Sequence, residues 1–365
     1  MEQPFPAAHC LGRGAEFSPF MDKKRILASV VVFLILAVLV YLQYRHWRTF
    51  DWGMFWSQTH RITKWRIVLA IALTYFAYAL RALRWKIFLH PVRSNTRVAE
   101  LLSPTFIGFT GIALLGRAGE FIRPYLIARR TQLPVSSQLA VWTVERAFDV
   151  GSVAVMMIVA VFGDSGMPSI LQPKWYRTAY LGVSALTLFA VGIVSAALVI
   201  SQKGEAVAHW VEQRFQHSRP ALGESIALRV REFKAGLNTI HGVGSFFWLT
   251  LVSVGMWCVI ALAYLEITRS YNHDSLRISP LQILILMGSS MAGSLLQLPA
   301  VGGGSQMATI ATLSGLFDVP PEMAASCGIL LWLVTFAAVI PVGLILAHHE
   351  RLSLRKLSVE SHQTE

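Results

Sequence analysis

Charged residues placed inside apolar sequence are where this chain could do chemistry. The first group is Gly116-Arg117-Ala118-Gly119-Glu120-Phe121-Ile122-Arg123-Pro124, and the second is Glu145, Arg146 and Asp149. An ionisable side chain in the middle of a membrane helix costs roughly 2.5–3.5 kcal/mol on insertion scales, so such residues mark a pathway or a binding site by default. Glu145 and Asp149 are i,i+4 neighbours on one helix face, and Arg146 and Asp149 are i,i+3 neighbours that can pair locally. Glu145 then needs a partner from elsewhere, and Arg117 or Arg123 is the candidate. The planar fork of arginine suits phosphate oxygens, so Arg123 and Arg117 read as phosphate holders. Glu120 or Glu145 would take a basic headgroup or balance the arginines. The plainer alternative is that the network only pins one segment to another.

Pro124 is tolerated in a helix's first turn, so a short helix is predicted to start at Arg123-Pro124 and run through Ala128. Its free amide groups and Arg123 together would make an anion site. A later stretch, Leu298-Pro299-Ala300-Val301-Gly302-Gly303-Gly304-Ser305-Gln306, repeats the theme without charge. Ser305 is predicted to cap a helix over 306–316, and Gly302, Gly303 and Gly304 allow a backbone nest for an anion, with Gln306 next to it. Arg81, Arg84, Trp85 and Lys86 read mainly as snorkelling anchors, with Arg84 a further headgroup contact. No nucleotide loop, nucleophile with its base or metal-ligand set occurs. Cys10, Cys258 and Cys327 have no metal-like spacing, and His348-His349 reads as interfacial. No catalytic residue, metal or cofactor is expected, and the chain is not expected to be an enzyme.

These residues must be held by membrane helices. The chain has 365 residues, of which 54% are hydrophobic and 14% charged, and a mean hydropathy of +0.53; soluble domains are about 25% charged. The net charge of +12 is spread beside apolar spans rather than gathered in a basic module, which argues against nucleic acid. Six stretches are predicted to span: 26–44, 67–89, 137–162, 178–200, 246–267 and 324–347. Two more, 101–128 and 280–317, are interrupted by Gly, Pro and polar residues. With the N-terminus inside, 20 of the 32 Lys and Arg fall in inner segments and 9 in outer loops, which sets both termini in the cytoplasm. The two interrupted stretches would then dip in from opposite faces and return. That arrangement matches the inverted repeats of transporters, whose broken helices meet near the midplane. The plain alternative is a pair of kinked hairpins with Gly for close packing.

Within 201–245, Leu222, Ile226, Val230, Phe233, Leu237 and Ile240 recur at helical spacing. They predict an amphipathic helix that lies on the inner leaflet, packs on the protein or meets a partner. Residues 1–20 read as a disordered tail or a mis-assigned extension ahead of Met21-Asp22-Lys23-Lys24-Arg25, and 348–365 as a cytoplasmic tail. Tryptophans 47, 52, 56 and 65 read as an outer aromatic belt.

At Gly119-Glu120-Phe121-Ile122-Arg123, Glu145-Arg146-Ala147-Phe148-Asp149 and Leu298-Pro299-Ala300-Val301-Gly302-Gly303-Gly304, the chain resembles the transmembrane flippase-like region of lysylphosphatidylglycerol synthases and their stand-alone relatives. The likeness runs from Met21 to about Ala347. It implies an all-α, polytopic protein of a prokaryotic inner membrane that moves or presents a lipid, in the best-known members an aminoacylated phosphatidylglycerol. It also implies a role for Glu120, Arg123, Glu145, Arg146 and Asp149. Members often carry an acidic residue where this chain has Gln306, and the soluble acyltransferase-like domain is not found by residue 365, so synthesis of the lipid is not expected. The leading expectation is a lipid translocase whose partner is a membrane lipid; the alternative is a non-transporting protein that docks lipid-linked intermediates for a cell-envelope enzyme, such as a glycosyltransferase, through 201–245.

Overall fold

In a computed structural model, the described residues are 51–162, 202–215, 220–237, 242–294 and 303–350, with isolated helical positions at Ser184, Leu188 and Gly192. Met1–Asp51 and Trp52–Glu365 are separate units, and every described helix belongs to the second. The described residues are helical, with no strand among them. In order they form α1 (Trp52–His60), α2 (Lys64–Leu89), α3 (Val98–Leu115), a 3-10 turn (Gly116–Phe121), α4 (Ile122–Thr131) and α5 (Val135–Phe162). A helix over 202–215, α6, comes next. Then come α7 (Pro220–Leu237), α8 (Gly242–Ser270), α9 (Pro280–Gly293), α10 (Gly303–Leu316), α11 (Pro321–Trp332), a π-helical segment (Leu333–Ala337) and α12 (Val339–His349).

Four stretches among them are long and apolar enough to cross a membrane: Lys64–Leu89, Val98–Thr131, Gly244–Ser270 and Pro321–His349. Three coincide with predicted spans. Helix α5, predicted as a span, is continuous over 28 residues, and it carries Glu145, Arg146 and Asp149 in its middle. The predicted spans 26–44 and 178–200, and residues 1–20, lie outside the described residues.

The spine is an antiparallel pair, α2 and α8. The Thr63 amide donates to the Ser270 carbonyl at 2.9 Å, and Arg66 pairs with Glu266 at 2.7 Å. Against this spine pack two short helical hairpins. In the first, α3 stops where Gly116 takes a φ of 65°, a left-handed conformation that suits glycine. The chain then returns so closely that a side chain at Gly108 would meet Arg123 Cβ, and one at Gly119 would meet the Gly111 backbone. Small residues give the two arms the dispersion contact that replaces the hydrophobic effect inside a bilayer. The start of α3, the end of α4 and the end of α12 meet, since Arg130 pairs with Glu350 at 2.9 Å and the Ser103 hydroxyl bonds the same carboxylate.

In the second hairpin, α9 starts with a capping box. The Ser279 hydroxyl accepts from the Gln282 amide at 3.2 Å and the Gln282 side chain accepts from the Ser279 amide at 2.7 Å, with Pro280 at the first helical position. A side chain at Gly293 would meet the Gly304 carbonyl and Ala308, so α10 returns along α9. The chain between them, including Gly302, lies outside the described residues. Helix α10 begins at Gly303, which corrects the predicted start at 306. Ser305 therefore sits inside the first turn, where its carbonyl accepts from Thr309 at 2.8 Å, instead of capping the helix.

The hairpins are held reciprocally. Gly343 of α12 lies against Thr110 of α3, and Gly288 of α9 lies against Met157 of α5. The π-helical segment has its own supports: Tyr75 donates to the Ala338 carbonyl at 2.6 Å and Tyr78 to the Thr335 carbonyl at 3.3 Å.

The predicted amphipathic helix exists as α7, with its faces used differently. Gly223 and Ala227 are buried while Leu222 and Ile226 are exposed, because the small face lets α7 close on α6. A side chain at Gly223 would meet Phe215, and one at Gly204 would meet Lys234. Arg231 binds Glu205 at 3.1 Å and Glu212 at 2.8 Å, and its hydrogen bond holds the Glu212 carboxyl below the usual carboxylate range. Ile240 lies beyond the end of α7 and outside the described residues.

Gly108→Val should force α3 and α4 apart and lower stability by about 1–3 kcal/mol, as overpacking does. Gly151→Ala adds a methyl where nothing lies within 4 Å and should leave stability equal or higher by under about 1 kcal/mol. Thermal unfolding of the detergent-purified variants checks both.

Candidate functional site

Helices α2, α5 and α8 each carry apolar core above and below one polar layer. Ala70 and Ala77, Val153 and Met157, and Met256 belong to one buried apolar cluster, while Trp85 and Phe88, Val141 and Val144, and Leu249 belong to another. At the level between them α2 contributes Arg81 and Arg84, α5 contributes Glu145 and Asp149, and α8 contributes Ser253, all buried. Arg123 of α4 enters from the first hairpin, also buried. Arg123 is about 12 Å along the helix from the Thr131 end of α4, and Glu145 about 15 Å from the Val135 end of α5, at 1.5 Å per residue.

Arg84, with no exposed surface, is the hub. One terminal nitrogen donates to Glu145 at 2.5 Å, the other to Asp149 at 2.7 Å and to Ser253 Oγ at 3.1 Å. Glu145 also accepts from both terminal nitrogens of Arg123, one contact being at 3.1 Å. Asp149 accepts from the Trp257 indole at 3.2 Å, pairs with Arg146 one helical turn away at 3.2 Å and lies 3.8 Å from Arg81. Arg146 reaches Glu145 as well, at 3.7 Å, and is the member that opens outward, with 32% of its side chain exposed.

Aromatic faces fill the remaining directions around the cations. Arg123 lies 4.5 Å from the Trp85 ring and 5.1 Å from Phe109, and Arg81 lies 4.8 Å from Phe109 and 5.7 Å from Trp257. Such faces attract guanidinium and are worth more when water is excluded. Trp85 is fixed in turn by its indole N–H, which donates to Gln138 at 3.1 Å.

Four guanidinium groups thus surround two carboxylates, so the layer holds more positive than negative charge. Among the described residues, Arg84 Nε, Arg146 Nε and the acceptor Asp149 Oδ2 are buried without a hydrogen-bond partner. The arrangement can bind an anion: it offers planar, permanently charged donors in a low-dielectric setting.

Arg123 is the partner of Glu145 that the spacing required, and Arg146–Asp149 is the local pair. Arg117 and Glu120 are placed elsewhere: exposed and half-buried respectively on the 3-10 turn, they supply none of the ion pairs to Glu145 or Asp149. The helix start at Arg123-Pro124 is corrected to Ile122. It is not an open N-terminus, because the 3-10 turn runs straight into it and the Ile122 amide already donates to the Gly119 carbonyl. The predicted anion site made by free amides at that helix start is therefore absent, and what the segment offers an anion is the Arg123 side chain. Arg81, Arg84 and Trp85 are corrected too: they point into the protein rather than snorkelling. Their signal in the sequence is the buried stripe Thr74, Ala77, Tyr78, Arg81, Arg84, Trp85 and Phe88 at spacings of three and four. Ser253 and Trp257 carry no such sequence signal. Gly303, Gly304, Ser305 and Gln306 start α10, each half-buried. Among the described residues no group of His, Cys, Asp and Glu could hold a metal ion, and Cys258 and Cys327 are free.

An ion-pair layer held between apolar membrane helices defines a multi-pass membrane protein with a buried polar site. The chain belongs to the family described as the lysylphosphatidylglycerol synthase TM region, which matches residues 26–343. It is also similar to a protein named Glycosyltransferase AglD from Haloferax volcanii, 25% identical over 293 residues, covering 72% of this chain and 46% of that one. The chain therefore spans about half the length of that relative. No solved structure matches.

Replacing Arg84 by Met should cost about 3–5 kcal/mol, since it strands two buried carboxylates. Combined with Asp149→Leu it should cost less than the two single changes added together, by at least about 1 kcal/mol. Unfolding of the two single variants and the double variant in one detergent measures that coupling.

Proposed function

We propose that the protein is a lipid translocase of the cytoplasmic membrane that takes the headgroup phosphate of an anionic lipid into the layer around Arg123. The observation that carries this reading is the surplus of buried guanidinium groups between the first hairpin and the spans. Arg123 and Arg146 hold the phosphate, Arg84 positions the two carboxylates, and Arg117 and Glu120 on the 3-10 turn meet the headgroup as it arrives. The glycine stretch through Gly304, with Ser305 and Gln306, faces the lipid from the second hairpin.

The architecture proposed with it is six spans and two re-entrant hairpins related by an inverted repeat, with both termini in the cytoplasm. Its support is reciprocity. Exchanging α2 with α8, the first hairpin with the second, and α5 with α11–α12 maps the α12–α3 contact onto the α5–α9 contact. Two halves that each brace the other's hairpin can rock against one another around a fixed midplane site. On this reading the protein has no catalytic activity of its own.

A second reading is favoured by the similarity to a protein named as a glycosyltransferase. The chain would then present a lipid-linked intermediate to a cell-envelope enzyme docked on α6–α7, without moving the lipid across.

Headgroup translocation of fluorescent anionic phospholipids and aminoacylated phosphatidylglycerol in liposomes separates the two. Wild type should move lipid, while folded Arg123→Ala and Glu145→Gln should lose at least about 90% of the rate, the effect of about 1.4 kcal/mol on a barrier. No movement by folded wild type would give precedence to the docking reading.

A further inference from the structure

Resting on the headgroup-binding reading, we propose that the lipid taken by this site bears two negative charges on its headgroup, as a phosphomonoester or a pyrophosphate does, and carries no amine. Glu145 and Asp149 are the only acidic side chains that Arg81, Arg84, Arg123 and Arg146 pair with among the described residues, which leaves two positive charges uncompensated there. Arginine does not shed its proton in a protein, so the surplus cannot be relieved by titration. Uncompensated charge away from water is costly, and a bound anion of matching charge relieves it. A phosphodiester such as phosphatidylglycerol supplies one negative charge; a phosphomonoester near neutral pH or a pyrophosphate supplies about two.

The carboxylates point the same way. An aminoacylated headgroup brings ammonium groups that need acceptors, yet Glu145 and Asp149 each face three guanidinium groups, and the carboxylate oxygen left without a hydrogen bond, Asp149 Oδ2, already lies 3.2 Å from Arg146 and 3.8 Å from Arg81, so an ammonium there would sit among cations. The second hairpin offers no acidic side chain, because no Asp, Glu, Lys or Arg occurs from Ile278 to Phe317. Gln306 and Ser305 there can bond phosphate oxygens or sugar hydroxyls but cannot neutralise an amine. The aromatic faces of Trp85, Phe109 and Trp257 are turned to the arginines of the protein, which leaves them occupied as cation receptors. The opening of the layer is at Arg146, the one partly exposed cation, so the incoming headgroup meets a donor first.

The test is binding of lipids that share dioleoyl chains and differ only in headgroup: phosphatidic acid, diacylglycerol pyrophosphate, phosphatidylglycerol, lysylphosphatidylglycerol and phosphatidylcholine. Affinities are read by native mass spectrometry of the purified full chain. Phosphatidic acid and the pyrophosphate should bind at least about tenfold tighter than phosphatidylglycerol, with the lysyl form weaker still. Arg146→Gln, at the partly exposed edge, removes one charge and should bring the monoester-to-diester ratio to about twofold or less while unfolding within a few degrees of wild type. Glu145→Gln adds one and should raise that ratio. Equal or tighter binding of phosphatidylglycerol or its lysyl form would overturn the charge assignment and leave headgroup binding standing. Binding of every anionic lipid no tighter than phosphatidylcholine would overturn both.

Discussion

A single guanidinium with no exposed surface holds two carboxylates that lie one turn apart on a neighbouring helix, and the rest of the structure is arranged around that grip. Arg84 reaches Glu145 at 2.5 Å and Asp149 at 2.7 Å, which fixes α2 to α5 in one register. Arg123 then ties α4, and with it the first hairpin, to the same Glu145. Burying such groups carries a large desolvation cost, and what offsets it is satisfaction of their remaining valences. Ser253, Trp257 and Gln138 supply part of that satisfaction directly or through Trp85, while Arg84 Nε, Arg146 Nε and Asp149 Oδ2 are left without a hydrogen-bond partner among the described residues. Apolar clusters lie on either side of the pairs, and the low dielectric there strengthens the buried ones.

The hairpins are the other half of the design. A backbone that turns inside a bilayer must have its polar groups met internally. At the turn of the first hairpin the Ile122 amide is met by the Gly119 carbonyl, while glycines at 108, 111 and 119 let the returning arm lie flat against the outgoing one. The same closeness brings Arg123 Cβ against Gly108, so the position of the cation depends on the absence of a side chain on α3. The tyrosines under the π-helical segment connect this region further. Tyr78 bonds the Thr335 carbonyl and stacks 4.9 Å from Phe109, whose ring faces Arg81 and Arg123. A chain of packed side chains thus runs from the π-helical segment to the ion layer.

Much of this was legible in the chain. Apolar run lengths gave the helices of α2, α8 and α11–α12, and intramembrane charges pointed to Arg123, Glu145, Arg146 and Asp149. The demand of Glu145 for a further partner pointed to Arg117 or Arg123, and Arg123 is the one that meets it. What spacing could not supply was the direction of a side chain relative to the rest of the bundle. Arg81 and Arg84 near a helix end look like interfacial anchors until the other residues of their stripe, Thr74, Tyr78 and Trp85, are seen to be buried with them. Local rules also failed where tertiary contact overrode them. Ser305 is a good cap by type, yet α10 begins at Gly303 because the small residues there pack on Gly293. In α7 the small face, rather than the apolar stripe through Leu222 and Ile226, is the one that closes on its neighbour, since an antiparallel helix comes closest where side chains are smallest.

The most direct measurement of whether the guanidinium layer is a headgroup site is an experimental structure of the protein in nanodiscs containing a brominated anionic lipid. Headgroup density within hydrogen-bonding reach of Arg123 and Arg146, with the brominated tails running out between helices, is the expected result. Lipid density confined to the outer surface, with the six charged side chains paired only to one another, would contradict it.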